Sequence, residues 1–248
     1  MDLKVKRVEL RKQKSKIAKT ESKGGEKMRK VALLLVIPII AVILSSCTFV
    51  TTRVKDSYIQ KEYIDKVKVP EKYKVGTKEI KFYVDKVVDS RKTKHIARKG
   101  WYGIPIGAPI KMDNTTKTLK TTVKKALLKT GWGVTDTKEN ADYLVDLDLK
   151  KLELELGLLL NHDESKALVC VYRNDNEDRK TLVLKKVVKN RKLARLEVDF
   201  TGRFRGAVGH HVIMLYKSLL EFFSSPEFVN AIKEDYYNTH SVKQERAE

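Results

Sequence analysis

The sequence predicts an α+β domain in two layers, a mainly antiparallel sheet with helices packed on one face. Three observations predict it. Several stretches alternate apolar and polar residues with the period of a half-buried strand, most clearly Ile80 to Asp85 and Tyr143 to Leu156. Others carry apolar residues at helical spacing, near 115–130, 210–223 and 226–236. The later strands are joined by short polar turns, which pair neighbours antiparallel, and the helix stripes then have one sheet face to bury against.

Taken in order, Ile80, Phe82 and Val84 alternate with Lys81, Tyr83 and Asp85, and Asp89-Ser90-Arg91 ends the strand. A loop of about twenty residues follows, centred on Gly100-Trp101-Tyr102-Gly103-Ile104-Pro105-Ile106-Gly107-Ala108-Pro109, too rich in glycine and proline for a regular element. Asn114 and Thr115 cap a helix to about Thr130, with Leu119, Val123, Ala126 and Leu127 on its buried face and Gly131 as its stop. Trp132 and Val134 lie in a short return segment.

Tyr143 to Leu156 reads as one long strand. Tyr143, Val145, Leu147 and Leu149 share a face; Leu152, Leu154 and Leu156 come one step out of phase, so Lys150-Lys151 is expected to be a bulge. Ala167 to Tyr172 is the next strand, and Asn174 to Asp178 a polar turn. Leu182, Leu184 and Val187 open a last strand, with the chain extended to about Phe204. Gly206 and Gly209 precede a helix from about His210 to Phe223, striped by Val212, Leu215, Leu219 and Phe222. Ser225-Pro226 caps a final helix carrying Phe228, Ile232 and Tyr236. Residues 237–248 form a polar tail.

The N-terminal part has another character. Residues 1–27 are polar and basic, an extension to be excluded from the fold, or the product of a start placed upstream of Met28. Met28 to Cys47 has a positive start at Arg29-Lys30, an apolar run of thirteen residues from Val31 to Ile43, and then Leu44-Ser45-Ser46-Cys47. That order is a secretory signal over 28–46, ending in small residues at the cut. The rival is a spanning helix, since the uncharged run reaches Thr52, about 22 residues. Residues 47–77 are expected to be a lipidated N-terminus and a tether that reaches roughly 100 Å when extended. Within it Tyr58, Tyr63, Val67 and Val69 are prone to an edge strand. The folded domain is expected over 78–236.

The block at Leu44 to Cys47 resembles the lipobox of bacterial lipoproteins. The resemblance implies cleavage between Ser46 and Cys47, a diacylglyceryl group on the Cys47 thiol, and acylation of the new amino terminus. Three further blocks resemble the YajG-like bacterial envelope lipoproteins: Lys81 to Arg91, Leu127 to Val134, and Ala141 to Leu147. That family implies a lipid-anchored α+β domain without catalytic residues. The chain departs from it in its high lysine content and the long extended stretch from Leu182 to Phe204. By the family's sorting habit, Thr48 rather than Asp after the cysteine implies the outer membrane.

Charge points to an acidic or lipidic partner. The chain has 248 residues and a net charge of +20. Residues 1–30 hold twelve basic and four acidic residues, so 31–248 carry 20 − 8 = +12. An exported domain meets anionic lipid or acidic envelope polymers rather than nucleic acid, and a solvated lysine-rich surface is the bland alternative.

No catalytic constellation stands out. His95, His162, His210, His211 and His240 show no metal-ligand spacing, and neighbours on a helix cannot clasp one ion. No metal and no cofactor is expected. Glycine-rich phosphate loops and nucleophile elbows are absent from the sequence. Asp142, Asp146 and Asp148 share a strand face, read as solvated rather than as a carboxylate cluster, and Cys170 as a small buried apolar residue. Trp101, Tyr102, Ile104 and Ile106 form either an apolar knob that docks a partner or dips into lipid, or a lid over the core. The expectation is a non-enzymatic, membrane-anchored envelope lipoprotein that binds a protein or polymer partner. The alternatives are an auxiliary lipoprotein of an envelope transport system and an envelope hydrolase, the second opposed by the missing constellation.

Overall fold

A computed structural model describes residues 51–98, 109–156, 160–175, 180–195 and 203–245. By its contacts the chain separates into Met1–Val50 and Thr51–Glu248, and the described residues all belong to the second unit. That unit holds a five-stranded sheet and a smaller three-stranded one, with helices covering the larger sheet on its apolar face. The α+β class expected from the sequence is the one observed.

The five-stranded sheet has the order β5-β2-β6-β7-β8. Its members are β2 (Lys81–Asp89), β5 (Gly133–Val134), β6 (Tyr143–Leu156), β7 (Leu160–Asn174) and β8 (Lys180–Arg195). The chain meanders antiparallel through β6, β7 and β8. The pairings of β2 with β5 and β6 are parallel, so the sheet is mixed, while its two long ladders are antiparallel as expected. The cause of the parallel pairing is the connection: β2 reaches β6 through a long crossover containing a helix, and a crossover returns the chain in the same direction.

The bulge expected in β6 is present. Leu149 pairs with Ala167 and Lys151 with Lys166, leaving Lys150 as the extra residue. It brings Leu152 back to the core face occupied by Leu149, and both are fully buried.

Helix α2 (Thr115–Lys129) fills the crossover; the shorter α1 (Asp56–Ile59) precedes β2. Asn114 caps α2, its side chain accepting from the Lys117 N–H at 2.9 Å. Leu119, Val123, Ala126 and Leu127 are fully buried on one face, as their spacing predicts. Gly131 ends the helix at φ 94°, a conformation that only glycine adopts without strain.

Residues 51–77 do not form a tether. β1 (Thr52–Val54) joins a small sheet of order β1-β4-β3, with β3 (Ala97–Arg98) and β4 (Pro109–Met112). The expected edge strand at Tyr58 to Val69 is instead α1, a π-helical turn at Gln60–Ile64, and irregular chain. Val54, Ile59 and Ile64 are each no more than 1% exposed and belong to the main core. Burying such a side chain is worth about 1.5–3 kcal/mol, which fixes the segment to the domain.

The C-terminal helices are longer than expected. α3 (Arg203–Phe223) begins before Gly206, and α4 (Pro226–Glu245) continues through most of the residues expected to be a tail. Gly209 sits inside α3 because the Tyr63 ring lies against it: a Cβ there would be 2.4 Å from a ring carbon. Val212, Leu215, Leu219 and Phe222 are buried. Ser225 accepts from the Phe228 N–H at 3.2 Å and starts α4, as predicted.

The core gathers aromatic rings. Phe82 lies 5.5 Å from Trp132, 5.4 Å from Tyr143 and 5.9 Å from Phe228, centroid to centroid. The Trp132 indole N–H donates to the Phe223 carbonyl at 3.0 Å, so burying the indole leaves its polar atom satisfied. Gly76 packs on that indole so closely that a Cβ would meet it at 2.6 Å.

Candidate functional site

The residues singled out for anchoring and docking lie outside the described residues. This holds for Ser46 and Cys47, and for Trp101, Tyr102, Ile104 and Ile106. The flanks of the second group are described: Arg98 pairs with Pro109 and Ala97 with Ile110, while Ile110 pairs on its other side with Thr52. The described chain therefore breaks off at Arg98 and resumes at Pro109 on the rim of the small sheet where the folded domain begins.

The aspartates in and just before β6 do structural work. Asp142 accepts from the Lys81 N–H at 2.7 Å, and Asp146 from the Lys86 N–H at 3.1 Å. The β2–β6 register shifts between Val84 and Val87, and Asp146 takes an amide hydrogen at that irregularity. Asp148 pairs with Lys150. Burial alone would raise its carboxyl, but hydrogen bonds from Lys150 and Ser90 and the Lys150 charge hold it below the usual range.

Two ionic arrangements, one buried and one half-buried, tie elements together. The Arg91 guanidinium, 4% exposed, grips both Asp89 oxygens at 2.8 Å and donates to the Leu152 carbonyl at 3.3 Å. Burial pushes the Asp89 carboxyl up; the two hydrogen bonds and the charge of Arg91 outweigh this, so it ends below its ordinary value. At the opposite end of the sheet, Tyr143 lies 2.9 Å from Asp235, which also accepts from Arg173 at 2.9 Å. Burial, then the Asp235 hydrogen bond and charge, raise the Tyr143 hydroxyl far from any proton-transfer role near neutrality. The network pins α4 to β6 and β7.

The remaining titratable groups do not assemble into a centre. Among the described residues, no group of three or more His, Cys, Asp or Glu side chains is placed to hold a metal. His211 is buried on α3, and burial followed by the nearby His210 charge pushes it down to about 3. Cys170 is half-buried rather than buried; it sits on the outer sheet face, in register with Asp146 and Lys185.

Two open clefts are present. One, about 400 Å³, lies between α2 and β2 and is lined by Asp85, Asn114, Lys117, Lys120 and Lys124. Three of its charges have partners: Asp85 with Lys180, Lys124 with Asp136 at 2.6 Å, and Lys120 over the Tyr83 ring at 5.0 Å. The other, about 550 Å³, is bordered by Lys78, Lys81, Asp136 and Asn140 beside β5. Neither brings a nucleophile to a base.

No family model matches the chain, and no curated protein does. Solved structures do. The chain is similar to a DUF330 protein from Xanthomonas campestris, at 13% identity and a TM-score of 0.47, over 77% of this chain and 99% of that one. It is similar to lipoprotein GNA1162 from Neisseria meningitidis, at 8% identity and a TM-score of 0.32, over 53% and 94%. It is also similar to a homolog of the neuraminyllactose-binding hemagglutinin from Helicobacter pylori, at 12% identity and a TM-score of 0.35, over 71% and 95%. Likeness at this level carries no argument about function.

Two surfaces were missed by sequence reasoning. The first is the sheet face turned away from the core, where Val88, Leu182 and Val187 are 47%, 50% and 45% exposed. Its edge strand β8 carries Lys180, Lys185, Lys186, Lys189, Arg191, Lys192 and Arg195 and no acid. Such cations also keep a long open edge from pairing with another chain. The composition of Lys180 to Arg195 was the available signal. The second is the outer side of the small sheet, where Arg53 stands beside Lys111 in register. It had no local signal, because Arg53 fell in the expected tether.

Proposed function

We propose that the chain is a lipid-anchored, non-enzymatic binding or assembly module of a bacterial cell envelope. The observation that carries this reading is the block Leu44-Ser45-Ser46-Cys47 behind Arg29-Lys30 and a thirteen-residue apolar run. A short greasy run with small residues and a cysteine at its end fits signal cleavage and thioether lipidation better than a span. Among the described residues, no helix is long and apolar enough to cross a membrane. Acyl chains at Cys47 then hold the domain, since two or more chains anchor stably where one is marginal. Thr48 favours the outer membrane.

The non-enzymatic part is supported by the polar clusters. Asp142, Asp146, Asp89 with Arg91, and Tyr143 with Asp235 each satisfy backbone or bind one element to another. The partner's class follows from charge: residues 31–248 carry +12, and the exposed β8 is basic, which suits an acidic protein segment or envelope polymer.

The test is Cys47→Ser in the full chain, expressed in a bacterium that processes lipoproteins. The wild type is expected in the membrane fraction, with Cys47 carrying a diacylglyceryl mass. The variant is expected unprocessed at the signal and without that mass. A variant processed to wild-type size and still pelleting with membranes overturns the proposal.

A further inference from the structure

The small sheet has a polarity along its length. β1 runs parallel to β4, with Thr52 opposite Ile110, Arg53 opposite Lys111 and Val54 opposite Met112. Val54, Ile110 and Met112 face the core, while Arg53 is exposed and Lys111 half-buried on the other side. Arg98, paired with Pro109, occupies a register position at the same rim as Thr52. The acids lie at the other end, with one lysine beside them: Lys55 and Asp56 follow β1, and Asp113 follows β4, with its N–H on the Val54 carbonyl at 3.1 Å.

Chain length fixes which end lies near Cys47. Thr52 is the first residue of β1, five peptide steps beyond Cys47. Five extended residues span at most about 18 Å. The domain is therefore leashed closely, and the end that is leashed carries cations and, among the described residues of the small sheet, no acid.

We propose that this rim, with Arg53 and Lys111, is a membrane-facing surface that docks on anionic phospholipid head groups beside the lipid anchor. The inference rests on lipidation at Cys47. A domain free to tumble on a long tether would show no preferred face. One on a leash this short can bring its rim within a single Debye length of an anionic surface (about 8 Å at physiological ionic strength), where its cations turn towards the surface and its acids away.

The experiment uses the full chain, purified after processing in cells and reconstituted in vesicles. Nitroxide labels are placed at Lys111→Cys or, as a control on β8, at Lys185→Cys, each in a Cys170→Ser background. Relaxation by a nickel chelate on lipid head groups reports proximity, and mass spectrometry of the Cys47 peptide reports the anchor. With phosphatidylglycerol vesicles, position 111 is expected to relax several-fold faster than position 185. Phosphatidylcholine vesicles or high salt should reduce the difference. Arg53→Ala should lower the docked population about fivefold, the usual worth of one basic residue at such a surface. Equal relaxation at 111 and 185 on lipidated protein overturns this inference and leaves the anchor intact. An unmodified Cys47 overturns the anchor, and the docking with it. A difference that persists unchanged on phosphatidylcholine overturns the choice of an anionic head group.

Discussion

Deleting Lys150 should be nearly harmless, whereas deleting Asp148, two positions earlier, should be costly. Lys150 is the residue left over in the β6–β7 ladder, between the pairs Leu149–Ala167 and Lys151–Lys166. Without it, Leu149, Lys151 and Leu152 follow one another as inward, outward and inward, and every described pair is kept. Deletion of Asp148 has the opposite effect. Leu149 then moves to the outward position and Lys150 to the inward one, with Leu152 unchanged. Leu149 is 0% exposed, and losing a buried leucine costs about 2–5 kcal/mol before any cost of turning a lysine inward. Both deletions remove the exposed Lys150–Asp148 pair, itself worth about 0–1 kcal/mol, so that loss cancels in the comparison.

At about 2–4 °C per kcal/mol for a domain of this size, the Asp148 deletion should lower Tm by roughly 4–20 °C. The Lys150 deletion should stay within a few degrees of the wild type. Thermal unfolding followed by circular dichroism, with both variants at the same pH and salt, decides between them. A Lys150 deletion as damaging as the Asp148 deletion would refute the register argument and show that the local twist of the bulge matters more than which face each leucine occupies.

Gly76→Ala places a methyl group against the Trp132 indole at 2.6 Å and should destabilise by about 1–3 kcal/mol, read by urea unfolding; Ala at this position with unchanged stability would mean the loop shifts freely. His211, held neutral by burial down to about 3, contributes stability that is complete above the ordinary histidine value near 6.5 and is lost as pH falls from there towards 3. Tm should therefore decline over that window in the wild type and more shallowly in His211→Gln, with parallel curves counting against the assignment. Asp89, whose carboxyl is held below its usual value, stabilises above about pH 4 and less as pH drops further. The Tm gap between wild type and Asp89→Asn should narrow under acid.

What could be read from the sequence was local and periodic. β6 was legible from end to end, bulge included, because a two-residue repeat slipping by one step is written in the chain itself. The N-cap at Asn114, the stop at Gly131 and the Ser225-Pro226 start were legible because each is a requirement of one turn of backbone. The failures depended on residues far apart. Gly206 and Gly209 look like a break before a helix, yet Gly209 is helical, and small because the Tyr63 ring lies on it. The parallel pairing of β2 with β6 is decided by the crossover between them rather than by either strand.

The largest misreading, the tether, has a functional consequence. Residues 51–77 are charged and poor in long apolar runs, so composition marks them as linker. Three side chains, Val54, Ile59 and Ile64, are enough to bind the segment into the core. A tether of thirty residues would let the domain search the space between membranes for a partner. If Cys47 is lipidated as proposed, a leash of five would hold the domain against one bilayer, and a partner would lie on that membrane or approach the open face of β8. The proposed anchor rests on four residues of sequence; the shortness of the leash was not legible there, because it depends on where folding begins.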